Sequence, residues 1–200
     1  FETDEKKEIF TSPYTEWLTH WNSDESLEIV TKPSYLSEGY SYEMNPSDGD
    51  YHKSFKQKNG LNTLASPDNK NLFVFETLDN TVRSSIFSRN TKRMRPLSIQ
   101  TFPEKCTWAH DNSFLYCFVP DSLAYGNEYP DIWYQGIETY TDSMWKIDPN
   151  TLQAELISDI KDEYDQTFDV IKIGIDKNSD YLYFIDKNTE ELWSYRLQNA

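Results

Sequence analysis

Short apolar runs separated by polar turns recur along this chain. Four stretches share one order of events: an apolar run, a polar turn and a second apolar run. They are residues 16–30 (EWLTHWNSDESLEIV), 61–75 (LNTLASPDNKNLFVF), 106–118 (CTWAHDNSFLYCF) and 171–185 (IKIGIDKNSDYLYFI). The turns SPDNKN, AHDNSF and DKNSDY are made of Asp, Asn, Ser and Pro, which hold turns through side-chain hydrogen bonds or a fixed φ. The second runs LFVF, LYCF and LYFI are aromatic and β-branched, the composition of strands. No segment carries a strong 3.6-residue apolar period; 158–167 has room for a short helical turn, but its string of acids reads more simply as loop.

The leucines that open the second runs, Leu27, Leu72, Leu115 and Leu182, lie 45, 43 and 67 residues apart. The long third interval has a visible cause. Trp145 follows Leu115 by 30 residues, whereas Trp193 follows Leu182 by 11, which places a 19-residue insertion within 121–140. Each repeat goes on to a third run, at 39–45, 83–89, 143–148 and 191–197. A fourth follows at 51–55, 93–99 and 154–157, and is missing from the last repeat. Four short strands in roughly 44 residues is the period of a β-propeller blade. The expected fold is therefore all-β: one propeller domain of about four antiparallel four-stranded blades, with repeats near 11–56, 60–100, 104–158 and 169–197. Residues 4–10 (DEKKEIF) read as a lone strand. It either closes a four-blade ring by completing the last repeat or ends a blade that lies upstream. The start at Phe1 favours the second, so the chain is expected to be part of a larger ring.

SPDNKNLFVF, AHDNSFLYCFVP and DKNSDYLYFI resemble the WD40-like PD40 repeat of TolB-type propellers, over residues 14–197. The second repeat matches best; the first and last lack the Pro. PEKCTWAHDNSFLYCFVP, YPDIWYQGIETYTDSMWKIDP and LYFIDKNTEELWSYRL are similar to a group of surface-exposed propellers of candidate-phylum bacteria to which no reaction is assigned. The resemblance implies a propeller fold outside the cytoplasm, whether secreted, periplasmic or on the cell surface. It implies no chemistry, because propellers host unrelated functions.

Composition narrows the partners. The formal charge is −15, which argues against nucleic acid, whose phosphates need a basic face. The 6 Trp, 14 Tyr and 11 Phe argue against an acidic disordered tail. No apolar stretch is long enough to span a membrane. Cys106 and Cys117 straddle the third turn symmetrically, which puts them opposite each other in a hairpin, where a disulfide fits. Two buried thiols are the alternative. The resemblance favours the bridge, and the bridge implies an oxidising compartment.

Catalytic signatures are lacking. His20, His52 and His110 occupy different repeat positions, and no nucleophile elbow, Walker loop or zinc motif occurs. An axial active site would call for carboxylates or histidines at one repeated channel position, and none recurs. Residues 176–180 (DKNSD) begin like a calcium loop but have Tyr181 where Gly is needed and Lys187 where the bidentate Glu belongs. Asp159, Asp162, Glu163, Asp165 and Asp169 read as a solvated acidic connection, with calcium capture by their carboxylates as the alternative. No metal or cofactor is expected.

Two features point to binding. Arg83, Arg89, Lys92, Arg93 and Arg95 fall in an acid-free stretch on the outer strands of the second repeat. They are either charge guarding a blade edge or a patch for an acidic partner. The insertion carries Tyr125, Tyr129, Trp133, Tyr134 and Tyr140 among acids and no base. Such aromatics are either a lid packed on the blade or anchors for a partner. The expected function is a non-catalytic extracytoplasmic binding or scaffolding propeller for a protein, with a glycan second. The alternative is the substrate-gating part of a larger hydrolase or peptidase.

Overall fold

The computed structural model describes residues 8–197. Fifteen strands among them form four antiparallel sheets arranged as propeller blades. Blade 1 holds β1 (Trp17–Ser23), β2 (Ser26–Thr31), β3 (Glu38–Met44) and β4 (Tyr51–Asn59). Blade 2 holds β5 (Asn62–Ala65), β6 (Asn71–Leu78), β7 (Thr81–Ser88) and β8 (Arg93–Pro96). Blade 3 holds β9 (Cys106–Trp108), β10 (Leu115–Pro120), β11 (Asp142–Ile147) and β12 (Ala154–Ser158). Blade 4 holds β13 (Val170–Ile175), β14 (Tyr181–Asp186) and β15 (Leu192–Arg196), with no fourth strand among the described residues. Each sheet is a meander, so sequence neighbours pair.

The turns between first and second strands work as their residues dictate. Asp111 accepts from the Ser113 amide and hydroxyl, and Asp176 from the amides of Asp180 and Tyr181. Asn69, Asn112 and Ser179 take the left-handed conformation there. The calcium-like segment is thus a hairpin turn, and no metal-ligating cluster of His, Cys, Asp and Glu is present among the described residues.

The marker leucines fix the stacking. Leu72 lies with Leu61, Ala65 and Val74 on the side where Phe55 of blade 1 packs. Leu115 packs with Leu64, Phe73 and Ile86 of blade 2, and Leu182 with Tyr116 and Phe118 of blade 3. Each marker therefore faces the preceding blade. Leu27 faces Ile9, Phe10 and Trp17 instead. The expected N-terminal strand is not seen: Asp4–Lys7 lie outside the described residues, and Glu8–Phe10 form no strand. Ile9 and Phe10 cover the face of blade 1, because that apolar face would otherwise meet water. Tyr183 of blade 4, on the face away from blade 3, is 47% exposed.

Cys106 pairs with Cys117 across β9 and β10, and the two form a disulfide. Intact mass and thiol labelling of the native protein should find no free thiol without reductant and two after it. Two labelled thiols in the unreduced protein would contradict the bridge.

The acidic stretch takes the helical turn rather than the loop. Residues Ile160–Tyr164 form a short helix, α2. Asp159 caps it by accepting the Asp162 amide, acids occupy its first turn, and Ile160 buries between blades 3 and 4. Asp169 is not in the solvated connection; it is buried at the axis.

Candidate functional site: a sealed end and an open end of the axis

The innermost strands β1, β5, β9 and β13 surround the axis, and the two ends of that axis differ. One end is sealed by the insertion, which joins β10 to β11 and carries the short helix α1 (Asp131–Tyr134). Trp133 is 1% exposed and stacks on Phe102 with ring centroids 4.8 Å apart. Its indole N–H donates to both carboxylate oxygens of Asp169, at 3.0 and 3.1 Å. Lys105 and Lys187 place their ammonium groups 5.0 and 5.2 Å from the same ring.

Two lysines meet two aspartates under the plug. Lys105, wholly buried, pairs with Asp142 and, at 2.6 Å, with Asp169. Lys187 lies 3.7 Å from Asp169 and donates to the Trp133 carbonyl at 2.7 Å and the Glu138 carbonyl at 3.2 Å. Burial pushes the Asp142 carboxyl up to about 6, against the pull of Lys105, and its Oδ1 has no hydrogen-bond partner. Burial also lowers Lys187.

The insertion ties the blades together. Asp131 accepts from the Ser34 hydroxyl at 3.0 Å and the Tyr35 amide at 2.5 Å in blade 1. The Tyr129 carbonyl accepts from Thr77 of blade 2 at 2.8 Å. The Tyr134 hydroxyl donates to Glu104, in the single 3-10 turn Pro103–Lys105 that leads into β9. Lys187 and Asp169 supply the blade 4 contacts.

The five insertion aromatics are therefore not one outward surface. Tyr129 and Trp133 are buried, Tyr134 and Tyr140 partly so, and Tyr125 alone is widely exposed, at 77%. Trp133 turns inward because the buried Asp169 offers its indole N–H a partner and Phe102 offers its ring a face. The basic cluster is split as well. Arg89 turns into the boundary between blades 1 and 2, pairing with Glu43 and, at 2.9 Å, with the buried Glu28. Arg95 donates to the Pro149 and Asn150 carbonyls of blade 3. Only Arg83, Lys92 and Arg93 of the five stand in solvent.

The other end of the axis opens into a cavity of about 780 Å³. Its walls come from all four innermost strands, including His20, Leu64, Trp108 and Ile173. Trp21, Pro67 and His110 lie on the side of the first hairpin turns, and Trp21 is 66% exposed. Gly174 lets the Tyr183 ring lie flat on β13, since a Cβ there would sit 2.2 Å from it. Three buried polar atoms without partners belong to lining residues: His20 Nε2, Asn22 Oδ1 and Glu104 Oε2. Burial lowers His20 to about 4 and raises Glu104. Sequence reasoning sought one repeated channel position and so missed these groups, which come from unrelated positions.

Neither a protein-family model nor a curated protein matches the sequence. Solved structures do match. TolB from Acinetobacter baumannii superposes with a TM-score of 0.64 at 10% identity, over 96% of this chain and 46% of that one. A TolB-type structure from Agrobacterium tumefaciens gives 0.61 at 11% identity, over 94% of this chain and 60% of that one. Oligogalacturonate lyase in complex with manganese gives 0.52 at 11% identity, over 88% and 46%. This chain thus spans about half the length of the structures it matches. Such identities speak for the fold alone, and by fold the chain is a four-blade arrangement of the TolB propeller type.

Proposed function

We propose that this protein is a non-catalytic, extracytoplasmic binding propeller that engages a protein partner at the open end of its axis. The observation that carries this reading is the asymmetry of the axis: the insertion plugs one end, and the other opens into a roomy cavity rimmed by an exposed tryptophan. Exposed Trp at the mouth of a cavity has the character of an interface anchor. The cavity lining offers no serine, and its one cysteine is held in the disulfide, which favours binding over acyl-transfer chemistry. The disulfide and the resemblance of the repeats to surface-exposed propellers support a place outside the cytoplasm.

Site-specific photo-crosslinking tests the reading. A benzophenone side chain at position 21, at the cavity mouth, is expected to trap one discrete protein from an extracytoplasmic extract of the source cells. The same group at position 125, exposed on the plug, is expected to trap none. Trapping at 125 and not at 21 would move the contact surface to the insertion and contradict the proposal.

A further inference from the structure

We propose that the free edge of β15 receives an extended segment of a protein partner by strand addition, with apolar side chains at alternate positions and lysine or arginine at its ends. The inference goes beyond the axial contact and does not depend on it. Blade 4 ends at β15 with no fourth strand beside it among the described residues, whereas β4, β8 and β12 fill that place in the other blades. An edge strand turns the N–H and C=O groups of alternate residues outward, where another strand can bond to them. The other three outer strands carry charge along their length: Lys53 and Lys58 in β4, Arg93 and Arg95 in β8, Glu155 in β12. Such charge discourages pairing. β15 (LWSYR) has one charge, Arg196, at its end, and an exposed leucine, Leu192.

A groove of about 820 Å³ lies beside this strand. Trp193 and Tyr195 of β15 line it with Phe184 of β14, Ile160 and Tyr164 of α2, and Phe168. Tyr164 and Tyr195 also line a second hollow that reaches Tyr116 and Ile157 of blade 3. The blade register says which side chains belong there. Tyr195 pairs with the marker Leu182 as Met44, Phe87 and Ile147 pair with theirs. Across from those three, on the fourth strands, stand Tyr51, Met94 and Ala154. All are apolar, and Met94 and Ala154 pack into the boundary with the preceding blade. In a strand added to β15, the residue opposite Tyr195 therefore enters the groove, as do those two positions away. Charge chooses the ends of the segment. Residues on and beside α2 include Asp159, Asp162, Glu163 and Asp165 against Lys161 alone. Elsewhere along the groove and hollow Arg196 is offset by Asp180, and Lys146 is held by Glu155 at 3.0 Å. Bases flanking the apolar residues answer the excess of acid.

Fluorescence anisotropy with the labelled peptide acetyl-KVTMTVK-amide tests this at low salt. It is expected to saturate one site, and acetyl-EVTMTVE-amide to bind about tenfold weaker. Successive N–H groups of a strand point to opposite edges. Of two forms of the lysine peptide N-methylated at alternate residues, one should therefore bind at least about tenfold weaker than the other. Tyr195→Ala and Tyr164→Glu should each weaken the unmethylated peptide about tenfold, and Tyr125→Ala, on the plug, should leave it unchanged. Melting curves show whether each variant is folded. Should Tyr195→Ala fail to fold, Tyr164→Glu, at an exposed helix position, and the methylated pair decide. Hydrogen exchange should slow in β15 when the peptide binds, and not in β1 at the axis. No saturable binding, equal affinity of the two methylated forms, or protection of β1 in place of β15 would overturn the inference. A dimer of the free protein that Tyr164→Glu dissociates would give the edge to a second copy and overturn it too. Peptide binding only after removal of residues 1–7 would give the edge to this chain's own N-terminus, with the same consequence.

Discussion

Trp133→Ala is expected to cost about 3–5 kcal/mol of folding stability, as the truncation of a buried aromatic does. The side chain is buried, stacks on Phe102, and has two ammonium groups about its ring while its N–H reaches Asp169. Its removal leaves a cavity where the axis is plugged and strips a donor from a buried carboxylate. Trp133→Phe keeps a ring on Phe102 and loses the N–H, so it should cost less, about 1–3 kcal/mol, the penalty of an unmet buried acceptor. Urea unfolding of both variants separates packing from hydrogen bonding. A loss under about 1 kcal/mol for Trp133→Ala would mean that the insertion is not part of the fold's support.

Lys105→Met should be as damaging, by about 3–5 kcal/mol, because it leaves two buried carboxylates facing each other with their shared cation gone. The pH dependence carries the signature. In the wild type, Asp142 has a folded pKa near 6 against an ordinary value of 3.8. The folded state therefore binds its proton more tightly than the unfolded state does. The contribution of this carboxyl to stability is full below about pH 4 and is lost as the pH rises through 6. Removing Lys105 takes away the attraction that restrains this shift. The gap between variant and wild type should then be widest at neutral pH and narrow as the solution is acidified toward pH 4. A gap independent of pH would show that Lys105 acts by packing and not by charge.

The blades were legible in the sequence because their rules are local. Turn residues and marker leucines act within a few positions of themselves, and all four markers are buried in second strands. The place of the insertion followed from counting residues. Its direction did not, because Tyr and Trp suit an interface and a plug equally well. What turns Trp133 inward is Asp169, 36 residues away, with Phe102. The buried charges were hidden for the same reason: Lys105 meets its acids across 37 and 64 residues, and alone each looks like a surface charge. The inward turn of Arg89 did leave a trace. Glu28 stands just after Leu27, where the other repeats have Phe73, Tyr116 and Tyr183. A carboxylate at an otherwise aromatic position, buried here, calls for a cation, and Arg89 supplies it. The helix α2 ranked below a loop in the sequence because one apolar residue, Ile160, anchors it.

Hydrogen exchange across the insertion tests most directly whether it is a built plug that leaves the other end of the axis for binding. The amides of Trp133, Tyr134, Gln135 and Ile137 are all bonded within the insertion, whose Asp131, Tyr129 and Trp133 are tied to the other blades. They are expected to exchange as slowly as those of β10, and in Trp133→Ala their protection should fall together with that of the Lys105 segment. Exchange within seconds in the wild type, with β10 still protected, would show a loose external loop and would contradict the account.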